Sequence, residues 1–329
     1  MIFSIENGIT TYEINVLPMT QLVGVNIEKK DFIIKSILKY FSTAKYKEYD
    51  SKYLDNIKID GEHVGRSYFE IYHIARIEDV ISAIKVSKTS LIMKYISSKL
   101  LGYNYQLELS QLEIDLNNIF LGINKDIIDD FKTIELLYQQ DDLFNLIQKA
   151  EIRSKDGRYL EELSNFELLS LYLDIIYEMQ KINPTKSLMI IENIDHMIKY
   201  EQYEELWKRN VEISREFDYC IVFTTSIKDF VIVDEEFIEG INVINEEIFI
   251  LPELNNMRLF IEDNYPLQVE VTNEEILSML RLIIQNIAQE KIVISHKSDI
   301  ILKMINKTMG IDTTILNTLN QIENVFIRD

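Results

Sequence analysis

The residues whose types and spacing come closest to a known chemistry lie at 20–38, where an apolar segment leads into a glycine, a lysine and a helical pattern. Strand, loop, lysine and helix follow in the order of a phosphate-binding loop, whose backbone N–H groups close around phosphates. The loop positions are Gly24, Asn26, Lys30 and Asp31. In a working site of this kind, the ammonium group of Lys30 would contact the nucleotide phosphates.

Two positions weaken this loop as a nucleotide site. Laid over G-x-x-x-x-G-K-[ST], Lys29 replaces the second glycine and Asp31 replaces the hydroxyl residue that binds magnesium. Glycine adopts positive φ at no steric cost, whereas a side chain disfavours it. A carboxylate at Asp31 would also repel phosphate. The alternative is a degenerate loop in which Asp31 stabilises the helix start through the helix dipole, and the substitutions favour this alternative.

A second half-motif follows the apolar segment 188–191. An ATPase places a magnesium-binding acid after such a strand, and often a further acid that activates water. Glu192 holds the first position, Asn193 holds the second and cannot act as a base, and Asp195 lies two residues further on. The alternative is that these residues cap the next helix. Two incomplete motifs in one chain together favour a protein without catalysis.

Other enzyme chemistries find little support in the sequence. The histidines, His63, His73, His196 and His296, lack the spacing of a metal site, and G-x-S-x-G does not occur. Cys220 is the only cysteine, which excludes an internal disulfide and suits a reducing cytoplasm. The first residues lack the basic region of a signal peptide, and no apolar run approaches the roughly 20 residues of a membrane span.

The lysines are distributed unevenly in a chain whose net charge is −20. Residues 80–107 contain no acid, and they carry Lys85, Lys88, Lys94 and Lys99. Salt screens charges over roughly 8 Å, so a local basic face can act independently of remote acids. This segment is either a solvent-exposed helix face or a surface that contacts nucleic-acid phosphates without reading bases.

Residues 108–142 have the opposite composition. Nine acids stand here against Lys125 and Lys132. Such a segment is usually a solvated helix surface. Clustered carboxylates could also hold calcium, which takes six to eight oxygen ligands, although the spacing is not that of an EF-hand.

The apolar periodicity predicts an α/β chain. Alternation in residues 1–25 indicates a hairpin that turns at Asn7 and Gly8, then a third strand that enters the loop. Residues 42–66 read as a polar surface excursion, and residues 67–74 read as a strand. Uninterrupted apolar segments at 187–191 and 220–225, with a helical pattern between them, predict parallel strands covered on both faces.

Helical spacing dominates residues 78–182 and the region after 272. Three S/T-x-x-E capping boxes indicate helix starts, at Ser110, Ser164 and Thr272. Asn183 and Pro184 end the helix that begins after Ser164.

With these features in place, the chain resembles a CRISPR-associated spacer-acquisition family of type II-A systems, the Csn-two family, in its longer subfamily. The resemblance spans nearly the whole chain. Its segments are M-T-Q-L-V-G-V-N, R-S-Y-F-E-I-Y-H, L-M-I-I-E-N-I-D-H-M-I, C-I-V-F-T-T-S and T-T-I-L-N-T-L-N-Q-I.

This resemblance implies an ATPase-like head domain, built on a parallel sheet of the P-loop type and interrupted by a helical leg domain. It places the head at 1–77 and 185–255, the leg at 78–184, and a mainly helical C-terminal extension at 256–329. It also implies a homotetrameric ring that threads onto double-stranded DNA ends. The implied role is non-catalytic, in spacer acquisition alongside the integrase proteins and the effector nuclease.

Calcium supports the ring in shorter members of the family, so the resemblance makes calcium a candidate cofactor, with no ligands assigned. The candidate DNA contacts are Lys85, Lys88, Lys94 and Lys99, followed by Lys29, Lys30 and Lys35. Two other functions stay open. One is an active ATPase that uses Lys30 and Glu192, and the other is an acidic scaffold that docks basic proteins of the integration machinery.

Overall fold

A computed structural model describes residues 1–42, 47–100, 105–131, 147, 149–265, 271–288 and 296–311. The described chain divides into two compact units, Met1–Arg76 with Thr185–Asp329, and Ile77–Pro184. The sequence-based boundaries for the helical segment, 78 and 184, fall within one residue of these. No helix among the described residues combines the length and the apolar character that crossing a bilayer needs.

The first unit contains two sheets. A three-stranded antiparallel sheet has the order β2-β1-β4, formed by β1 (Ile2–Asn7), β2 (Thr10–Asn15) and β4 (Ile57–Ile59). The predicted hairpin is confirmed, because β1 and β2 pair from Ile2 with Asn15 to Asn7 with Thr10. The prediction that 42–66 is only a surface excursion was wrong. Ile57 and Ile59 are apolar and pair with β1, but three residues are too few for a visible alternation.

The larger sheet has the order β5-β6-β7-β3-β8-β9. Its strands are β3 (Met19–Val23), β5 (Glu70–Ile74), β6 (Ser187–Ile191), β7 (Tyr219–Thr224), β8 (Ile241–Ile244) and β9 (Ile248–Ile250). All neighbouring pairs are parallel except β8 and β9. Every residue of β3, β6 and β7 is buried, as the uninterrupted apolar runs predict for a sheet covered on both faces.

Five described helices belong to this unit. They are α1 (Ile27–Tyr40), α6 (Tyr200–Glu216), α7 (Leu254–Asn264), α8 (Asn273–Ile283) and α9 (His296–Thr308). Thr272 caps α8 as the S/T-x-x-E pattern predicts, since its side chain accepts from the Glu275 N–H. The C-terminal helices share one apolar cluster with β3 and β8, through residues such as Ile276 and Leu280. The described helices of the segment predicted as an extension therefore pack into the core of the first unit.

The second unit is helical in its described part. Its helices are α2 (Ile77–Ile84), α3 (Leu91–Leu100), α4 (Gln106–Phe131) and α5 (Asn165–Ile182). Helix α5 packs against α2 and α3, and its predicted start is confirmed by the Ser164 and Glu167 capping box. The predicted start at Ser110 was wrong. Helix α4 runs through that position, and the Ser110 hydroxyl donates instead to the Gln106 carbonyl at 2.7 Å.

Candidate nucleotide loop and nucleic-acid interface

The link from β3 to α1 contains only three residues, Gly24, Val25 and Asn26. Gly24 has φ +97°, and a Cβ atom there would lie 2.4 Å from the carbonyl oxygen of Ile244. Glycine is therefore required by the backbone of β8, which passes directly beside the loop. A link this short lacks the residues with which a phosphate-binding loop encircles its ligand.

Two of the three amide groups of this link are satisfied from within the protein. The Val25 N–H donates to Asn245 Oδ1 at 3.0 Å, and the Asn26 N–H donates to the Ile244 carbonyl at 3.1 Å. The Asn26 side chain caps α1 by accepting from the Lys29 N–H at 3.0 Å. These donors bind the protein itself, whereas a nucleotide site would direct them at phosphate.

Lys30 is buried, with 5% of the residue exposed. Its Nζ donates to the Gly24 carbonyl at 2.9 Å and to the Thr225 carbonyl at 2.8 Å. Burial lowers the pKa of Lys30, and the charge of Asp195 opposes that shift. The structure thus corrects both roles predicted for Lys30, phosphate contact and DNA contact, because its ammonium group is turned inward.

The position predicted for Asp31 at the helix start was also wrong. Helix α1 begins at Ile27, so Asp31 lies in its second turn and pairs with Lys35 at 2.7 Å. The side chains of both residues are about half exposed. Lys29 donates to the carbonyls of Asn245 and Glu246. Of the second group of predicted DNA contacts, Lys35 alone has an exposed side chain.

Glu192 follows β6, and its carboxylate lies 2.5 Å from the Nε2 of His73 on the neighbouring strand β5. The two side chains remain partly exposed. Asn193 adopts a left-handed conformation with φ +50°, and its N–H donates to the Thr224 hydroxyl at 2.8 Å. The acid that an ATPase would use for magnesium is here half of a carboxylate–imidazole pair.

Sequence reasoning named Asp195 but missed its role as the carboxylate whose charge acts on Lys30. Asp195 is buried, and its Oδ2 accepts from the N–H groups of Ser226 and Ile227, both at 2.6 Å. Its Oδ1 lacks a hydrogen-bond partner among the described residues. Lys30 and Asp195 both hydrogen-bond to the backbone that follows β7, and together they form one buried polar cluster. Its signal in the sequence was an acid near the end of β6, which the broken ATPase motif obscured.

The first group of predicted DNA contacts lies on an exposed surface of the second unit. Lys88 precedes α3, Lys94 and Lys99 lie on it, and all three are exposed. The Lys99 ammonium also lies 5.3 Å from the centre of the Tyr95 ring. Lys85 follows α2 and forms an ion pair with Glu161, so a stretch without acids in sequence meets an acid in space.

Calcium stays a prediction, with no ligands assigned. Among the residues that the structure describes, no group of three or more His, Cys, Asp or Glu side chains is arranged to hold a metal ion. Several of the acids at 108–142, including Glu135, Asp141 and Asp142, lie outside the described residues.

Comparisons with known proteins identify the fold. No protein-family profile and no curated protein matches the sequence. The crystal structure of Stu0660 of Streptococcus thermophilus matches with a TM-score of 0.87 and 20% identity, over 99% of both chains. An SMC head bound to the C-terminal winged-helix domain of ScpA matches with a TM-score of 0.38 and 13% identity, over 69% of this chain and 89% of that one. The chain therefore has the fold of Stu0660.

Proposed function

We propose that this protein binds the ends of double-stranded DNA without reading sequence, as a homotetrameric ring without catalytic activity. We further propose that it acts in CRISPR spacer acquisition in the cytoplasm, alongside the integrase proteins and the effector nuclease. The sequence segments shared with the Csn-two family motivate this proposal. The match with Stu0660 supports its fold part alone.

The proposed fold is an ATPase-like head with a helical leg. Its support is the position of β3 between β7 and β8, with a loop and a helix directly after it. The absence of catalysis is proposed from the same loop. Lys30 binds two backbone carbonyls and is buried, which leaves its ammonium group without access to a nucleotide.

The observation that carries the DNA-binding proposal is the exposed basic segment around α3. Lys88, Lys94 and Lys99 are exposed on a stretch that contains no acid from 80 to 107. Point charges of this kind bind phosphates through counterion release, which gives affinity without base specificity. The acidic remainder of the chain would repel duplex, so binding would be confined to the lysine-bearing surface.

Charge reversal of this segment tests the proposal. We expect that a variant with Lys85, Lys88, Lys94 and Lys99 changed to Glu binds linear duplex at least about 100-fold more weakly at moderate salt. A glutamine version removes the same charges without adding acid next to Glu161. The matched control reverses four exposed lysines from other surfaces, Lys155, Lys199, Lys208 and Lys228. Fluorescence anisotropy over a salt series measures affinity, and light scattering measures assembly.

The expected result is weak binding and a flatter salt dependence for both versions of the first variant, with assembly unchanged. The control variant should keep its affinity within about fivefold, which allows for the change in net charge. Equal affinity of the glutamine version and the unmodified protein would contradict the assignment of these four lysines.

A further inference from the structure

Two edge strands of the first unit border a groove of about 770 Å³. One edge belongs to β2, the outer strand of the small sheet, and the other belongs to β9, the outer strand of the large sheet. Residues 10–13 and 246–250 line the groove, together with Lys29 and Met309. Apart from Lys29, none of these residues belongs to the degenerate loop or to the lysine-bearing segment of the second unit.

The hydrogen-bond register shows which backbone groups of β9 are not bonded to β8. In an antiparallel pair, opposite residues alternate between bonded and non-bonded positions. Asn245 bonds to Glu247, and Leu251 bonds to Ile241, so the alternation leaves Ile248 and Ile250 in the non-bonded positions. Their N–H and C=O groups are directed away from β8, at the outer edge of the sheet.

The same alternation applies to β2. Val16 bonds to Met1, so Thr11, Glu13 and Asn15 have backbone groups directed away from β1. At Asn15 this edge is already satisfied, because its N–H donates to Asn242 Oδ1 at 2.7 Å and its carbonyl accepts from Asn242 Nδ2 at 3.0 Å. The buried Asn242 side chain therefore makes the two hydrogen bonds to Asn15 that the backbone of a neighbouring strand would make.

Away from Asn15, the described chain supplies no equivalent partner for the outward groups of Thr11, Glu13, Ile248 and Ile250. Unpaired strand edges are templates for a further strand. Extended peptides bind other proteins by adding to such edges, with backbone hydrogen bonds for affinity and side-chain contacts for selectivity.

The charges of the groove define the partner. Glu13, Glu246 and Glu247 are exposed, and among the described residues none of their carboxylates forms an ion pair. Lys29 is the one lysine that lines the groove, and its ammonium group donates hydrogen bonds to the carbonyls of Asn245 and Glu246. The apolar side chains of β9 that line the groove are partly buried.

We propose that this groove is a docking site for an extended, basic segment of a partner protein, in which lysine or arginine alternates with apolar residues. The segment adds to the free edge of β9 and directs its cations to Glu13, Glu246 and Glu247. The proposal does not depend on DNA binding, because the basic surface around α3 belongs to the other unit.

A synthetic peptide tests this directly. The probe is a fluorescein-labelled seven-residue peptide with blocked ends, in which lysine alternates with valine, and its binding is followed by fluorescence polarisation. We expect saturable binding that weakens at least about tenfold when Glu13, Glu246 and Glu247 are changed to Lys. The matched control changes three exposed carboxylates from other surfaces, Glu201, Glu205 and Glu274, and should bind the peptide like the unmodified protein.

Two further peptides separate strand addition from charge attraction. One is N-methylated at every valine and the other at every lysine, so each loses the N–H groups on one side of the extended backbone. At least one of them should bind about tenfold more weakly. Unchanged binding of both would overturn the proposal, since attraction between charges alone would then explain the result.

Assembly distinguishes the other occupants. If the three Glu→Lys changes disrupt the oligomer while peptide binding persists, the groove is an interface between copies of the chain and the proposal is wrong. Peptide binding that is seen only after removal of residues 312–329 would assign the groove to the chain's own C-terminal segment, and it would also overturn the proposal. A failure in DNA binding would leave both readouts unaffected.

Discussion

Lys30 occupies the position of the phosphate-contacting lysine in a nucleotide-binding loop, but its side chain is bound by the protein itself. Its ammonium group is held by the carbonyls of Gly24 and Thr225, and its charge is balanced by that of Asp195. A buried charge is tolerated only when it is paired and hydrogen-bonded. Lys30 therefore acts as a structural residue that ties the loop after β3 to the end of β7.

Replacement of Lys30 by Met keeps the length of the side chain and removes the charge. We expect the free energy of unfolding to fall by about 2 to 4 kcal/mol, because two buried carbonyls and the Asp195 carboxylate lose their partner. Urea denaturation followed by circular dichroism measures the change.

The matched control is Lys35→Met, one turn further along the same helix. Lys35 is about half exposed and forms an exposed ion pair with Asp31, so its loss should cost less than about 1 kcal/mol. Equal stabilities of the two variants would show that Lys30 does not hold the loop.

How much of this cluster was visible in the sequence differs from residue to residue. The loss of the second glycine and the acid at Asp31 predicted a degenerate loop. The burial of Lys30 could not be predicted, because its partner Thr225 lies 195 positions away in the chain. The position of α1 likewise depends on Asn245, the residue directly after β8, whose Oδ1 accepts a hydrogen bond from the Val25 N–H.

At the scale of elements, the capping-box pattern predicted a helix start correctly where the helix begins at that position. Ser164 and Glu167 form a complete capping box at the start of α5, and Arg158 adds an ion pair to Glu167 at 2.8 Å. The same pattern at Ser110 failed. Helix α4 starts at Gln106 and leaves no free N–H groups at Ser110 to cap.

The start of α5 gives a pH-dependent prediction. The hydrogen bond from Arg158, followed by those from Ser164, lowers the pKa of Glu167 from 4.5 to about 2. A carboxylate whose pKa is lowered by folding stabilises the folded state at every pH above its ordinary pKa of 4.5. This stabilisation is lost as the pH falls from 4.5 through about 2. The variant Arg158→Met should therefore raise the pKa of Glu167, as measured by a carboxyl NMR titration.

Arg153→Met is the matched control, because Arg153 pairs with Glu151 at 2.7 Å and not with Glu167. It should leave the Glu167 titration unchanged. A Glu167 pKa that stays near 2 in the Arg158→Met variant would contradict the assigned cause.

At the scale of the whole molecule, the sequence predicted the helical segment and the parallel strands, since both follow from local apolar periodicity. The strand order was beyond prediction, because it depends on pairings between distant segments such as β3 with β8. The sequence-based domain boundaries also placed the C-terminal helices in an extension outside the head domain. Their apolar faces pack against the sheet through one cluster that includes Val23 and Val243.

The charge distribution gives this architecture its proposed function. Under that proposal, most of the surface of a chain with a net charge of −20 would repel duplex, while the exposed lysines around α3 would attract phosphates at short range. A ring that confines these lysines to its inner surface would admit a duplex only through a free end. A preference for ends is therefore the central consequence of the proposed function.

The most direct test compares linear duplex with a covalently closed circle of the same sequence and length in a gel-shift experiment. The proposed function predicts that the linear form is bound, that the closed circle is not, and that cutting the circle once restores binding. Equal binding of the linear and closed forms, or binding of neither form at low salt, would contradict it.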